Sequence, residues 1–181
     1  MDEIYLDYNA TTPCDPLVVE KMLPFLNKVY GNPSNSLHRQ GRMAAKAVDE
    51  ARQQVADLIG AQPGEIYFTS GATESNNLAI FGISKLITIL GRRRIVTCQV
   101  EHKAVLLPCQ KLVELGFDVT FLGVDAEGRV RLEEAEAAID GNTLLVTIQA
   151  ANNELGTLQP IADIAEIAHR YGALVHTDAA Q

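Results

Sequence analysis

Four short segments of this chain carry the residue types that bind ligands or move protons. The first is Thr69-Ser70-Gly71-Ala72-Thr73-Glu74-Ser75-Asn76-Asn77. Placed after a strand and opening a helix, it would offer an anion free backbone N–H groups and the positive end of the helix dipole. Gly71 would permit close approach, and Ser70, Thr73 or Ser75 would add hydroxyls. The same residues also read as a simple capping box, Ser70 or Gly71 followed by Thr73-Glu74 in the first turn. The second segment, Val100-Glu101-His102, ends in an imidazole able to stack, shuttle protons or bind metal, or only to hydrogen-bond within its loop. No partner ligand lies at metal spacing, so no metal site is expected. The third, Ala151-Asn152-Asn153-Glu154-Leu155-Gly156, is a turn by composition, yet its paired amides can hold a ligand's oxygen. The fourth is Asp178-Ala179-Ala180-Gln181. A buried carboxylate there needs a partner, either a protein donor or the protonated ring nitrogen of a pyridine-type cofactor.

The elements between these segments would position them. Turn formers run from Asn9-Ala10-Thr11-Thr12-Pro13 to Pro16, where a helix should begin, and a second loop spans Gly31-Asn32-Pro33-Ser34-Asn35-Ser36. A long helix follows, because Ala44, Ala47, Val48, Ala51, Val55, Leu58 and Ile59 repeat at helical spacing, and Gly60 ends it. From there the chain alternates. Strands are expected at 65–69, 94–97, 118–122, 144–149 and 173–177, with helices at 73–89, 104–115, 132–139 and 161–170. Pro108 should make the second of these helices start late or kink. Strands alternating with helices of ten or so residues imply βαβ units: an α/β fold with a mainly parallel sheet and helices on both faces. Such sheets bind ligands beyond the carboxyl ends of their strands, which is where all four segments fall. Neither the glycine pattern of a dinucleotide site nor that of a nucleoside triphosphate loop is present. A phosphate cradle, a flat stacking histidine, an amide and a carboxylate together fit pyridoxal phosphate better.

The 181 residues, 47% apolar and 21% charged, suit a globular domain with one sizeable core. A net charge of −8 would repel a phosphate backbone, so nucleic acid is not an expected partner. The one basic run, Arg92-Arg93-Arg94, reads as a solvated turn. No apolar run is long enough to cross a membrane, and the acidic start Met1-Asp2-Glu3 lacks a signal peptide's basic and apolar regions, so a cytoplasmic location is expected. Cys14, Cys98 and Cys109 are odd in number and widely spaced, as expected of reduced thiols rather than a disulfide framework or a zinc site.

Six segments in order across the chain resemble the nitrogen-fixation and iron–sulfur-cluster type of cysteine desulfurase, within the class V aminotransferases. They are Tyr5-Leu6-Asp7-Tyr8-Asn9-Ala10-Thr11-Thr12-Pro13, Gly31-Asn32-Pro33-Ser34, Thr69-Ser70-Gly71-Ala72-Thr73-Glu74-Ser75, Glu101-His102-Lys103-Ala104-Val105, Asn152-Asn153-Glu154-Leu155-Gly156 and Asp178-Ala179-Ala180-Gln181. The resemblance implies the large domain of a pyridoxal-phosphate-dependent transferase, aspartate aminotransferase-like and of fold type I. By it, Ala72 and Thr73 bind the cofactor's phosphate, and His102 stacks on the pyridine face and acts as a catalytic acid–base group. Asn153 and Gln181 place amides near the phenolic oxygen, and Asp178 keeps the ring nitrogen protonated. Asn9 to Thr12 would lie near the substrate. Asn76 stands where many members carry aspartate.

The family's cofactor-binding lysine lies in a Ser-x-His-Lys motif beyond the Asp-x-x-Gln segment, and no lysine of this chain stands in such a motif. The sulfur-accepting cysteine and the substrate-binding arginine also belong to that later part. The sequence stops three residues past Asp178 with no turn or cap after it, so the expected organisation is an N-terminal arm (1–15) and an incomplete cofactor-binding large domain (16–181). Completed, it would be a homodimer that converts L-cysteine to L-alanine and passes persulfide sulfur to an acceptor or scaffold protein. As it stands it would not turn over. The alternatives are a selenocysteine lyase or other class V enzyme, and a non-catalytic cofactor-binding or dimerisation module.

Overall fold

The computed structural model describes residues 4–181, the side chains of Ile87 and Thr88 excepted. The acidic start Met1-Asp2-Glu3 lies outside the described residues. Contacts divide the chain into two units, Met1–Phe68 and Thr69–Gln181.

In the first unit, helix α1 (Pro16–Asn27) begins where Pro16 pre-sets the backbone and the Asp15 carboxylate accepts the Leu17 N–H at 2.7 Å. Helix α2 (Arg39–Ile59) is capped by His38, whose Nδ1 accepts the Gly41 N–H, and it ends on Gly60 in the left-handed region. A side chain at Gly41 would collide with the Asn35 carbonyl oxygen, only 1.8 Å from where its Cβ would sit, so the loop after Gly31 can pack here only on glycine.

The strand expected at 65–69 does not form. Pro63–Glu65 adopt a single 3-10 turn, and among the described residues no strand pairs with the segment after it. Ile66 is buried while Tyr67 and Phe68 are both exposed, so the segment lacks the period-two burial of a strand as well as a partner for its backbone. The segment is held instead by Arg52 of α2, which donates to the Ile66 carbonyl and lies 5.1 Å from the Phe68 ring centroid.

The second unit is the expected α/β sandwich. Its elements are α3 (Ala72–Ser84), α4 (Ile87–Leu90), β1 (Arg94–Cys98), α5 (Lys103–Glu114), β2 (Asp118–Leu122), α6 (Leu132–Ala138), β3 (Thr143–Thr147), α7 (Ile161–Arg170) and β4 (Leu174–His176). The helix expected at 73–89 is interrupted after Ser84, whose hydroxyl turns back onto the Phe81 carbonyl at 2.7 Å. Pro108 lies within α5, which starts at Lys103 and is therefore not delayed.

The sheet runs in the order β2-β1-β3-β4 with every pairing parallel. Because side chains alternate along a strand, neighbours in sequence serve opposite faces. Ile95 and Leu145 pack with Ile80 of α3 and with Val105, Cys109 and Leu112 of α5. Val96, Cys98 and Val146 pack with Ala135 and Ile139 of the α6 segment and with Ile164, Ile167 and Ala168 of α7. Each fully buried Ile, Leu or Val here contributes about 1.5–3 kcal/mol of burial, which fixes the strand ends that carry the candidate site.

The basic run is not a solvated turn. Arg92 donates to the Tyr171 and Gly172 carbonyls at 2.9 and 2.8 Å, and Arg94 pairs with Asp118 at 2.7 Å and Asp140 at 2.5 Å. Both tie the amino-terminal edge of the sheet together, far in register from the strand ends that matter for ligand binding.

Candidate active site

All four segments converge beyond the carboxyl ends of β1, β3 and β4. The start of α3 is the first component. Its N-cap residue, Gly71, makes no side-chain capping bond, and the first intrahelical N–H to find a carbonyl is that of Ser75. The alternative capping box is not made at the N-cap: Glu74 reaches past Gly71 to accept from the Ser70 N–H and hydroxyl at 2.7 and 2.6 Å. Those hydrogen bonds, the hydroxyl's first, hold the Glu74 carboxyl below its ordinary range. The N–H groups of Ala72 and Thr73 thus face outward from a helix terminus, and a Cβ built on Gly71 would meet nothing within 4 Å. A phosphate fits this terminus on both counts, charge and clearance.

His102 is the second component. It is the N-cap of α5, and its Nδ1 accepts the Ala104 N–H at 3.1 Å. A neutral ring bonded in this way carries its proton on Nε2. The cap also fixes the ring's orientation while leaving the residue exposed. Thr73 and His102 line one open groove of about 340 Å³, shared with Asn77, Phe81 and Leu107.

Asp178 is the third. It is half-buried beyond β4, and both carboxylate oxygens are held: Oδ2 accepts from Asn76 Nδ2 at 2.8 Å, and Oδ1 accepts from the Ala180 N–H at 3.1 Å. The Asn76 bond reaches across 102 residues of sequence and fastens the strand end to α3, the helix whose first turn presents Ala72 and Thr73. The segment that follows β3 is joined to the same point, since the Ala150 N–H donates to the Asp178 carbonyl at 2.8 Å.

Asn153 lies on the turn after β3, half-buried, its Nδ2 3.0 Å from the Glu154 carboxylate. The preceding asparagine shapes that turn: Asn152 Oδ1 accepts from the N–H groups of Glu154 and Leu155 at 2.9 and 2.8 Å. Gln181 is exposed, three residues past Asp178. Asn9 to Thr12 belong to the first unit.

Two residues named in the sequence segments, Asn76 and Glu101, carry supporting roles that the sequence alone does not assign. Asn76 is 3% exposed, and the signal for it was available, because it shares a helix face with Ile80, where a polar side chain needs a buried partner. Glu101 is 5% exposed, a carboxyl within a strand-end loop that nothing in the local pattern distinguishes from a solvated one.

A profile described as aminotransferase class-V matches residues 4–181. The chain belongs to the class V aminotransferase family. Within it, the chain is 52% identical over 180 residues to cysteine desulfurase IscS of Cronobacter sakazakii, covering 98% of this chain and 44% of that protein. It is 48% identical over 186 residues to the mitochondrial cysteine desulfurase of Arthroderma benhamiae, covering 100% of this chain and 37% of the relative. Among solved structures, a NifS-like protein superposes with a TM-score of 0.92 at 44% identity, over 97% of this chain and 48% of its own. The structure of SspA in complex with cysteine gives 0.91 at 45% identity, over 98% and 50%. The chain therefore spans less than half the length of these curated relatives. The parallel sheet clothed on both faces is the class V form of the fold type I architecture.

The class V chain also carries two thiols in its core. Burial pushes Cys98 up to about 11 and Cys109 up to about 12, so neither is a thiolate at neutral pH. No helix among the described residues is long and apolar enough to cross a membrane.

Proposed function

We propose that this chain is the cofactor-recognition part of a pyridoxal-phosphate-dependent cysteine desulfurase. The full-length protein would convert L-cysteine to L-alanine and retain the sulfur as a persulfide for an acceptor or scaffold protein in iron–sulfur cluster or thio-cofactor assembly. The observation that carries the reading is the Asn76–Asp178 bond, which ties an acidic strand end to the helix whose uncapped first turn suits a phosphate. These are the two ends of a pyridoxal phosphate molecule, its ring nitrogen and its phosphate, and His102 offers a fixed ring face at the same strand ends.

In this reading the N–H groups of Ala72 and Thr73, with the Thr73 hydroxyl, hold the phosphate. His102 stacks on the ring, and its Nε2–H serves proton exchange with the substrate. Asn153 and Gln181 direct amides at the phenolic oxygen. Asp178, held by two donors, keeps a proton on the ring nitrogen. The bound cofactor supplies an electron-withdrawing ring that accepts charge when the substrate's α-proton leaves. The cofactor-holding lysine, the sulfur-accepting cysteine and the carboxylate-binding arginine would come from the part of the protein outside this chain. We further assign residues 16–181 to the cofactor-binding large domain and 1–15 to an arm, and the full-length protein to a cytoplasmic homodimer.

The test is direct. Full-length protein loaded with pyridoxal phosphate and given L-cysteine should form alanine and, with a reductant, sulfide in equal amounts. Turnover of L-selenocysteine without L-cysteine would move the assignment to a selenocysteine lyase, and turnover of neither would refute it.

A further inference from the structure

Glu101 is almost wholly buried between the end of β1 and α5, and among the described residues no cation pairs with it. Its Oε1 accepts the Gln149 N–H at 2.7 Å, and its Oε2 is buried with no hydrogen-bond partner. The bond belongs to a larger stitch. The carbonyl of the adjacent Val100 accepts from both Gln149 Nε2 and Asn152 Nδ2, at 2.8 and 2.9 Å. Three hydrogen bonds therefore join two consecutive residues before His102 to the segment that leads from β3 into the turn holding Asn153.

We propose that Glu101 is a positioning residue for the reaction, a neutral carboxylic acid that locks the loop carrying His102 onto the turn carrying Asn153. An ionised carboxylate with one oxygen buried and unbonded would bear the full cost of desolvation, whereas the protonated acid leaves only a hydroxyl to be accommodated. The ionisable groups around it act in the same direction: the Asp178 carboxylate beyond β4 repels a charge on it, and the thiols of Cys98 on β1 and Cys109 on α5 offer no countercharge. Burial pushes its ionisation up to about 8, the Gln149 N–H pulls it part of the way back, and Asp178 adds a smaller push upward. Neutrality has a use, because a second negative charge at these strand ends would compete with the interaction that Asp178 makes.

The proposal rests on the functional reading for its role, and its test is built so that the two fail separately. Full-length wild type, Glu101→Gln and Glu101→Ala are compared in cofactor affinity and in melting of the apo-protein, each from pH 6 to 9. Gln copies the neutral acid, so Glu101→Gln should hold pyridoxal phosphate within about threefold of wild type at pH 7, while Glu101→Ala should lose about tenfold or more. Because the unfolded chain has already released this proton, the wild type should melt progressively earlier as pH rises from 6 to about 8 and level off above it, and its cofactor affinity should fall as pH passes about 8, whereas Glu101→Gln should show neither trend. If Glu101→Gln is as damaged as Glu101→Ala at pH 7, the charged form is the working one and the proposal falls. If Glu101→Gln and wild type share one pH profile, it also falls, even where Glu101→Ala fails to fold. Should the wild type bind no pyridoxal phosphate, the functional reading fails, and the melting profiles still decide whether the acid is neutral.

Discussion

Removing the Asn76 amide should disable Asp178 without touching it. Asn76→Leu keeps nearly the same volume at a 3% exposed site but deletes the donor 2.8 Å from Asp178 Oδ2, leaving Oδ1 bonded to the Ala180 N–H at 3.1 Å. A hydrogen bond to a charged group contributes about 1.5–3 kcal/mol, and the surviving donor retains part of the orientation, so about 1.4 kcal/mol or tenfold in cofactor affinity should be lost. The assay is a double-mutant cycle on the dissociation constant of pyridoxal phosphate, followed by its visible absorbance in full-length protein. In the wild-type background Asn76→Leu should weaken binding about tenfold, and in an Asp178→Asn background by less than about threefold, because there is no charge left to orient. Equal factors in both backgrounds would show that Asn76 acts through general packing of α3, and the positioning argument would be wrong.

Three further outcomes are expected. Asp178→Asn in full-length protein should cut turnover by ~10² or more, roughly 2.7 kcal/mol of barrier, with a much smaller loss of cofactor affinity; near-normal turnover with cofactor bound would make the carboxylate merely structural. His102→Ala should retain the cofactor with a shifted absorption band and slower turnover, and an unchanged spectrum would remove His102 from the ring face. His176, bonded through Nδ1 to the Thr147 hydroxyl at 2.8 Å, is held below its ordinary range by burial, opposed by Asp178. Its contribution to stability is therefore complete above about pH 6.5 and is lost as pH falls below that value, since the unfolded chain takes up the proton first. His176→Gln should flatten the acid side of the melting profile between about pH 7 and 5, and an unchanged slope would assign that side to other groups.

Much of this architecture is legible in residue patterns. The run Arg94-Ile95-Val96-Thr97-Cys98 reads as a buried strand because parallel strands covered on both faces lose polar alternation, and the structure places Ile95 and Val96 in opposite cores. The ligand-binding end follows from that same parallel order. What the pattern could not supply is partnership over distance. The segment at 65–69 has the apolar and aromatic composition of a strand, but a strand exists only where a neighbour takes its hydrogen bonds, and Ile66 finds Arg52 instead. Asn76 and Asp178 lie 102 residues apart, and only the packing of α3 against the sheet brings them to 2.8 Å. Glu101 sits in the local sequence as an ordinary charge, and its burial arises from β3 and α5 closing over it. The arginine run misled for a similar reason, since the carbonyls that Arg92 satisfies come from the far side of the sheet.

The central claim is that the ends of β1, β3 and β4 hold one pyridoxal phosphate molecule between α3 and Asp178. A crystal structure of the full-length protein grown with that cofactor tests it most directly. The account predicts the phosphate on the N–H groups of Ala72 and Thr73, the ring against the His102 imidazole, and the ring nitrogen within hydrogen-bond distance of an Asp178 oxygen. Cofactor density elsewhere, or a phosphate at α3 with the ring nitrogen turned away from Asp178, would contradict it.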